Sequence, residues 1–488
     1  MRKYPLSWKN DPAPVSDYYG EPVIEKRMAE YLGGDTLDEA TAVYLTRCDP
    51  KNRLKNIRKP AELASFLRDG IDIGRSLWDK EDLIVHLDIE YVNFDFPGEP
   101  YLDPKRSYGI QEPLIKTLRN DLEGFGIEPL HLVTGRGHHF TWKIGGKTAV
   151  FRELEKIGRL PEELRKMYEK GHGPEGEHVT PGLAKAYAGL ALVMEYLAGR
   201  AILSARRETP VPVKTICAPE RVCERGWEAV ILDLSEYGDP LHTRMIRLPF
   251  SLYLKPWEED TLAKDDIGGK KGLSCVIPGG GMKPEDFAKA SGDPSRIIDL
   301  ALRSEMFIPE AAGGTGAVIK EYKTSGTKHY HDWFFSREQY LPEEWPRTYD
   351  LFSHKGMPAC ARNILEEPND LLLKPPCQEM LIKVLMSLGW HPRHIAGLFR
   401  SKYERNHGWG DMWYRYNAVS RAEFYCRTVA EGIFNGTDDL SGFDCSVPLR
   451  FCRCRKEECS GLANYRDSLI KRREHGKLGS SPFNRLFL

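Results

Sequence analysis

The chain has 488 residues, a length that predicts about two or three domains rather than one compact core. Hydrophobic residues make up 41% and charged residues 29%, which indicates a globular protein and excludes collagen-like, disordered and disulfide-scaffold classes. Seventy basic and 71 acidic residues give a net charge of −1, so nucleic-acid binding would have to depend on local patches.

Membrane and secretory signals are absent from the sequence pattern. No stretch approaches the roughly 20 uninterrupted apolar residues of a membrane span. The N-terminus is basic but no apolar run follows it, so we expect no signal peptide. Eleven cysteines in such a chain are expected to be thiols or metal ligands. These features predict a cytoplasmic protein that does not bind membranes.

The first half of the chain alternates between helical and strand patterns. Residues 1–75 show helical periodicity, and we expect them to pack as a helical segment on the domain that follows. The Ala/Leu-rich run 182–204 predicts one long helix. Short β-branched apolar runs bounded by turn residues predict strands. These strands are 82–92, 131–134, 140–144, 229–234 and 244–248, the last two expected to pair about a turn at 238–240.

The second half of the chain has a different amino-acid composition. Residues 261–345 are rich in Gly, Lys and Asp and predict a loop-rich connector. Residues 346–460 are helical, aromatic and dense in cysteine towards their end, and 461–488 form a basic tail. With the strand-containing part at 76–260, the pattern predicts an α+β protein.

The strand 82–92 carries the first motif that suggests chemistry. Asp88 and Glu90 are two residues apart, so on a strand they project from the same face. Two adjacent carboxylates repel each other unless a cation lies between them, and Mg²⁺ or Mn²⁺ prefers such oxygen ligands. The alternative is a solvated strand face, which the flanking apolar residues disfavour.

The second motif is a glycine-rich turn, Thr134-Gly-Arg-Gly-His-His139. Glycines allow backbone N–H groups to approach an anion closely, Arg136 offers a forked phosphate contact, and His139 offers another donor. The alternative is a hairpin turn with incidental polar residues.

The third motif is a carboxylate at a turn, Asp239, followed by a basic strand with Arg244, Arg247 and Lys255. Asp233 is an alternative for the carboxylate. An ordinary acidic turn before a basic edge strand would produce the same pattern.

Together the three motifs resemble, in order and type, those of the archaeo-eukaryotic primase superfamily, over about residues 76–257. The resemblance implies an RRM-like catalytic core with mixed or antiparallel sheets. It also implies that Asp88, Glu90 and Asp239 hold the catalytic Mg²⁺ or Mn²⁺. Thr134, Arg136, His139, Arg247 and Lys255 would then contact the nucleotide. Thr134 replaces the usual serine of the family, and Tyr253 stands where the small-subunit primases often have a histidine.

Cysteines near the C-terminal end suggest a second metal site. The Gly356-Met-Pro-Ala-Cys360 segment resembles the helix start in the iron–sulfur domain of the primase large subunit. In that family one upstream and three downstream cysteines hold a [4Fe–4S] cluster, which implies Cys360, Cys445, Cys454 and Cys459 here. Cys377 and Cys452 are alternatives. Four thiolates also suit Zn²⁺, and free buried thiols are a third interpretation.

Aromatic and basic residues are interleaved between 400 and 416, a composition that suits single-stranded nucleic acid. An amphipathic helix that packs its aromatic residues inward explains the pattern equally well. The aromatic residues are Trp409, Trp413, Tyr414 and Tyr416, and the basic residues are Arg400, Lys402, Arg405 and Arg415.

The expected function is that of a DNA primase or primase-polymerase. Such an enzyme joins NTPs or dNTPs on a single-stranded DNA template, with replication or repair proteins as partners. A repair-type polymerase of the same superfamily and a non-catalytic protein that binds single-stranded nucleic acid through its cysteine module are the alternatives. A metal-dependent nuclease is a third, but it would not need a basic strand to hold a triphosphate.

Overall fold

The computed structural model describes residues 18–48, 56–223, 226–255, 274–353, 355–405, 407, 417–438 and 461–474. It is an α+β protein, 53% helical and 14% strand, with mixed and antiparallel sheets. The described strands, β1 to β12 in chain order, are Leu45–Arg47, Ile73–Ser76, Asp82–Asn93, Leu130–Val133, Gly137–Gly145, Val213–Lys214, Glu220–Cys223, Gly226–Asp233, Met245–Arg247, Leu252–Tyr253, Ser274–Cys275 and Ile277–Pro278.

Helices account for most of the remaining described residues. We number them α1 to α16 in chain order. They are Pro22–Tyr31, Leu63–Asp69, Glu99–Leu102, Pro104–Gly124, Ala149–Ile157, Glu162–Tyr168, Pro181–Ala205, Pro284–Ser291, Pro294–Arg303, Ala312–Tyr322, Gly326–Phe334, Ala359–Glu366, Pro375–Ser387, Pro392–Tyr403, Ala418–Asn435 and Leu462–Glu474.

The main sheet has the order β12-β4-β5-β3-β8-β6, and β7 also pairs with β8. Its centre is antiparallel: β3 pairs with β5 on one side and with β8 on the other. In chain order the central part reads β3, α3, α4, β4, β5, the helices α5 to α7, and the strands β6, β7 and β8. A second, smaller antiparallel sheet has the order β1-β2-β9.

The two faces of the main sheet differ in what covers them. Ile89 and His138 are partners across β3 and β5, and the ring of Tyr108 on α4 packs on His138. Helix α4 therefore covers this face. Asp88 and His139 are also partners across the same strands, so their side chains lie on the opposite face. The alternation of β3 thus separates the apolar packing face from the polar face.

Helix α7 is the predicted long helix of the first half. It is long and apolar enough to cross a membrane by length and composition, the one such helix in the part of the chain that the structure describes. Two thirds of its most apolar window (67%) is buried inside the protein, and it contacts α4, α5 and β3. Its apolar character is explained by its place in the core.

Two segments differ from their expected structure. The expected loop-rich connector contains α8 to α11 and β12, which joins the main sheet. The segment is polar on average, and this led to the prediction of loops. It nevertheless has apolar residues at helical spacing, such as Ile297 and Ala301, which are both fully buried. In the N-terminal segment, which was expected to be helical, β1 follows α1 and β2 follows α2, and the two strands form the small sheet with β9. Three-residue and four-residue strands are too short to give a clear period.

The expected pairing of strands 229–234 and 244–248 was wrong. β8 belongs to the main sheet, whereas β9 pairs with β2 in the small sheet. Two successive short 3₁₀ helices, Ser235–Gly238 and Leu241–Thr243, separate the two strands and prevent a hairpin. The connection therefore carries the chain from one sheet to the other.

Candidate active site

The polar face of β3 presents three titratable side chains in a row. His86, Asp88 and Glu90 alternate with the fully buried Leu87 and Ile89, as the sequence predicted for the two carboxylates. The side chain of Asp88 is 30% exposed and that of Glu90 is 15% exposed. Both carboxylates are therefore partly accessible at the centre of the main sheet.

The third carboxylate of this face is Asp233. It is the last residue of β8 and the direct cross-strand partner of Asp88. Directly opposed residues of an antiparallel pair have Cβ atoms about 5 Å apart, and like charges there repel. Burial and then Glu90 raise the pKa of Asp233 above its ordinary value. Asp88, Glu90 and Asp233 thus form one acidic group.

Asp239 does not belong to this acidic group, which corrects the expected assignment. It lies after the 3₁₀ helix that follows β8, and its buried carboxylate pairs with Arg421 and Arg244. The Arg421 Nε–Asp239 Oδ1 distance is 2.7 Å. A carboxylate that is already paired with two guanidinium groups is a poor metal ligand. The six-residue offset between Asp233 and Asp239 lies within an irregular segment, where spacing does not predict direction.

Electrostatics distinguish the members of the acidic group. Burial and the neighbouring Glu90 raise the pKa of Asp88 to about 7. Burial also raises the pKa of Glu90, but Arg136 and Lys255 outweigh it, so that pKa falls below its ordinary value. Negative charge is therefore crowded around Asp88 and balanced around Glu90. A divalent cation would relieve the crowding.

The glycine turn brings Arg136 to this face. β4 and β5 form the predicted hairpin, and the N–H of Thr134 donates to the carbonyl of Gly137 over 2.8 Å. A Cβ on Gly137 would lie 1.9 Å from the carbonyl oxygen of Ile89, so only glycine permits this approach of β5 to β3. Arg136 Nε donates to Glu90 Oε2 over 2.6 Å. The turn is thus fixed against the acidic group.

Arg247 and Lys255 complete the basic side of the site. Arg247 on β9 donates to buried Asp72 over 3.2 Å, and its guanidinium lies 4.6 Å from the ring centre of Tyr253. Lys255 Nζ is 4.0 Å from Glu90 Oε2. Between them, Phe250 has φ 64°, a strained conformation that redirects the chain from β9 towards β10. The structure therefore brings both predicted cations to the site.

His139 lies on the same face as Asp88. Its Nε2 is 3.5 Å from Asp88 Oδ1, and its ring meets that of His86 edge-on at 4.6 Å. Burial, followed by the charges of His86 and Arg247, lowers the pKa of His139 well below its ordinary value. Nδ1 of His139 is buried without a hydrogen-bond partner in the described residues. A neutral imidazole in this position can donate a hydrogen bond to an anionic ligand.

His86 and Glu236 were not predicted from the sequence. Glu236, in the 3₁₀ helix after β8, pairs with His86 through an Nδ1–Oε2 contact of 2.9 Å. Burial lowers the pKa of His86, but Glu236 outweighs burial and the pKa rises. The two-residue period of a strand, which places Asp88 and Glu90 on one face, also places His86 there. This period would have allowed His86 to be predicted from the sequence.

A second group of metal-type side chains lies elsewhere. Glu195, His331 and Glu431 are buried, and they are the one group of the described residues whose ligand atoms all lie within 4.8 Å of one another. Arg427 forms a two-pronged ion pair with Glu195, and His331 Nδ1 contacts the hydroxyl of Tyr322 over 2.9 Å. Because these charges already balance, the group is explained as an ion-pair network that joins α7, α11 and α15.

The predicted cysteine site lies largely outside the described residues. Cys445, Cys452, Cys454 and Cys459 fall in the segment that the structure does not describe. Cys360 and Cys377 are buried, near the starts of α12 and α13, and neither is in a disulfide. The burial suits either a metal ligand or a core thiol. Both remain predictions.

The interleaved aromatic and basic residues are described only in part. Trp409, Trp413, Tyr414, Arg415 and Tyr416 lie outside the described residues. Arg400 pairs with Glu163 and Glu404, and Arg405 forms two hydrogen bonds with Asp350. Within the described part of this segment, these two cations are engaged in the protein's own ion pairs.

Comparison with known proteins returned no relatives. No protein-family model, curated protein or solved structure matches this chain. The functional assignment therefore depends on the geometry of the acidic group, the glycine turn and the basic residues around them.

Proposed function

We propose that this chain is a metal-dependent nucleotidyltransferase of the primase or primase-polymerase type, as the resemblance of its motifs implies. The observation that carries the proposal is the juxtaposition of three carboxylates with three cations on one sheet face. Asp88, Glu90 and Asp233 form the acidic side. Arg136, Arg247 and Lys255 reach the same face from three other segments.

The topology supports an RRM-like core. With α3, α5, α6, β6 and β7 counted as insertions, the order strand, helix, strand, strand, helix, strand of β3, α4, β4, β5, α7 and β8 is that of the ferredoxin-like and RRM arrangement. The antiparallel spatial order β4-β5-β3-β8 is the one such a core requires. Asp88 and Glu90 lie on β3, a central strand of this core, and Asp233 lies on the neighbouring strand β8.

The acidic group offers the type of ligand that divalent cations such as Mg²⁺ or Mn²⁺ prefer. Its ligands are carboxylate oxygens, which hard cations prefer, and the crowding that raises the pKa of Asp88 would be relieved by a cation. When bound, such ions would activate a 3′-hydroxyl group and neutralise a triphosphate. Asp88, Glu90 and Asp233 would hold them.

The basic residues would bind and orient the nucleotide. Arg247 is held by Asp72 and Tyr253, so its guanidinium loses little freedom when it binds a phosphate. His139, neutral and buried, would donate a hydrogen bond to a phosphate oxygen. Arg136 shares Glu90 with the proposed cation, so binding of the cation would make the guanidinium available to the triphosphate. Positioning and charge neutralisation then account for the catalysis.

The C-terminal part is proposed as a helical cysteine-rich domain that binds a [4Fe–4S] cluster, with Zn²⁺ as the alternative. The buried Cys360 supports a ligand at the start of α12. Single-stranded DNA, NTPs or dNTPs, and replication or repair proteins are the proposed partners.

A priming assay tests the proposed function directly. The full chain is incubated with unprimed single-stranded DNA, Mn²⁺ or Mg²⁺ and labelled nucleotides, beside Asp88→Ala. We expect short products that disappear in the variant. Products only on primed templates would indicate a repair-type polymerase, and DNA binding without synthesis by either protein would contradict the proposal.

A further inference from the structure

The 3₁₀ helix Ser235–Gly238 connects the acidic group with other parts of the protein. Asp233, just before it, accepts a hydrogen bond from the N–H of Ser235 over 2.8 Å. Glu236 within it binds His86 of β3. Asp239, just after it, binds Arg421. Each acidic residue of this short segment thus has a different partner.

Helix α15 packs directly on this segment. A Cβ on Gly238 would lie 2.6 Å from Cγ of Phe424, so the backbone and the helix are in close contact. One turn earlier on the same helix, Arg421 reaches Asp239 through two hydrogen bonds of 2.7 and 3.1 Å. The two contacts hold the end of the segment against the C-terminal helices.

Arg244 continues the chain of contacts towards the acidic group. Its Nη1 lies 3.3 Å from Asp239 Oδ2, and its Nη2 donates to the hydroxyl of Ser235 over 3.2 Å. Ser235 is also the residue whose backbone binds the carboxylate of Asp233. Arg421 therefore connects to Asp233 through Asp239, Arg244 and Ser235.

We propose that Arg421, on a helix of the C-terminal part, is a positioning residue that holds the carboxylate of Asp233 in place for cation binding. This inference rests on the proposed function. Without Arg421, the fully buried carboxylate of Asp239 keeps Arg244 as its partner in the network. Arg244 would then turn from Ser235 towards Asp239, and the Ser235 backbone that orients Asp233 would lose its support. Residues that orient metal ligands in this way affect affinity although they never touch the metal.

Cation affinity of the full chain in the absence of nucleotide is the appropriate measurement. Mn²⁺ binding is followed by electron paramagnetic resonance for the wild type, Asp88→Asn, Arg421→Gln and Arg421→Lys. Arg405→Gln is the matched control, because Arg405 forms a similar two-pronged pair with Asp350. Asp88→Asn should abolish tight binding. Arg421→Gln should weaken it about tenfold, Arg421→Lys should restore part of the affinity, and the control should match the wild type.

The outcomes separate this inference from the proposed function. If the wild type shows no Mn²⁺ binding that depends on Asp88, the proposed metal site itself fails. If such binding exists but Arg421→Gln binds Mn²⁺ like Arg405→Gln, the positioning role is overturned. If Arg421→Gln does not fold, as judged by thermal melting, Asp239→Asn replaces it in the same comparison, because it keeps the shape of the side chain.

Discussion

Asp88 and Asp233 face each other across the adjacent antiparallel strands β3 and β8. Two carboxylates in this position repel each other, and the energetic cost is tolerated where the pair has a function that requires it. Glu90, two residues along β3, adds a third negative charge, and the guanidinium of Arg136 pairs with Glu90. This relationship makes the polar face of the main sheet a cation site in the proposed function.

Substitution of each aspartate by asparagine distinguishes Asp233 from Asp239 as the third carboxylate ligand. Asp233→Asn should reduce nucleotidyl transfer about 100-fold or more, because it removes a ligand of the proposed cations. Asp239→Asn should reduce it far less, since Asp239 acts only through its neighbours. Steady-state rates at saturating Mn²⁺ measure the difference. Equal losses in both variants would contradict the assignment of Asp233.

Removal of the Arg136 guanidinium should strengthen the binding of Mn²⁺ and weaken the binding of the nucleotide. In Arg136→Gln, Glu90 loses its guanidinium partner, so Mn²⁺ should bind about tenfold more tightly to the nucleotide-free protein. The KM for the nucleotide should rise about tenfold, because a phosphate contact is lost. Calorimetry gives the first value and initial rates the second.

The matched control for Arg136 is Arg165→Gln, which breaks exposed ion pairs with Glu162 and Glu169. Both quantities should stay at their wild-type values in this variant. A weaker rather than tighter Mn²⁺ affinity in Arg136→Gln would show that the guanidinium and the cation do not compete for Glu90.

The ion pair of Glu195 with Arg427 should make stability depend on acid pH. Arg427 and His331 outweigh burial, which by itself would raise the pKa of Glu195, and hold that pKa at about 2. A lowered pKa contributes stability above the unfolded-state value, near 4.3, that is lost as the pH falls towards 2. Glu195→Gln should lower the free energy of unfolding at pH 7 by about 3 kcal/mol, and the deficit should shrink below pH 4.5.

Urea unfolding at a series of pH values measures this deficit. Glu153→Gln is the control, because Glu153 pairs with Lys323 on the surface, where such pairs contribute about 1 kcal/mol or less. A deficit for Glu195→Gln that stays constant from pH 7 to pH 3 would exclude the ion pair as its cause.

Metal content tests the proposed cysteine site. Protein purified without oxygen should contain iron and absorb visible light, and Cys360→Ser and Cys454→Ser should lose both properties. Protein that contains zinc and does not absorb visible light would favour Zn²⁺ over the iron–sulfur cluster. Cys426→Ser is the control, because Cys426 is fully buried on α15 and is expected to be a core residue. If Cys377→Ser loses the metal and Cys360→Ser keeps it, the ligand is Cys377 and not Cys360.

Features that depend on local periodicity follow from the amino-acid sequence alone. Alternation along β3 places Asp88 and Glu90 on one face, and the glycines at 135 and 137 predict the hairpin that carries Arg136. Local residue type is sufficient for these features, because strand period and turn conformation are set within a few residues.

Which distant residues complete the site depends on how the chain folds in three dimensions. Asp233 rather than Asp239 joins the acidic group because two 3₁₀ helices turn the chain between the sheets. Arg421 meets Asp239 from 182 positions away, and no local pattern indicates such a contact. A side chain's partner across the fold depends on how helices and sheets pack, which is a property of the whole chain and not of any segment.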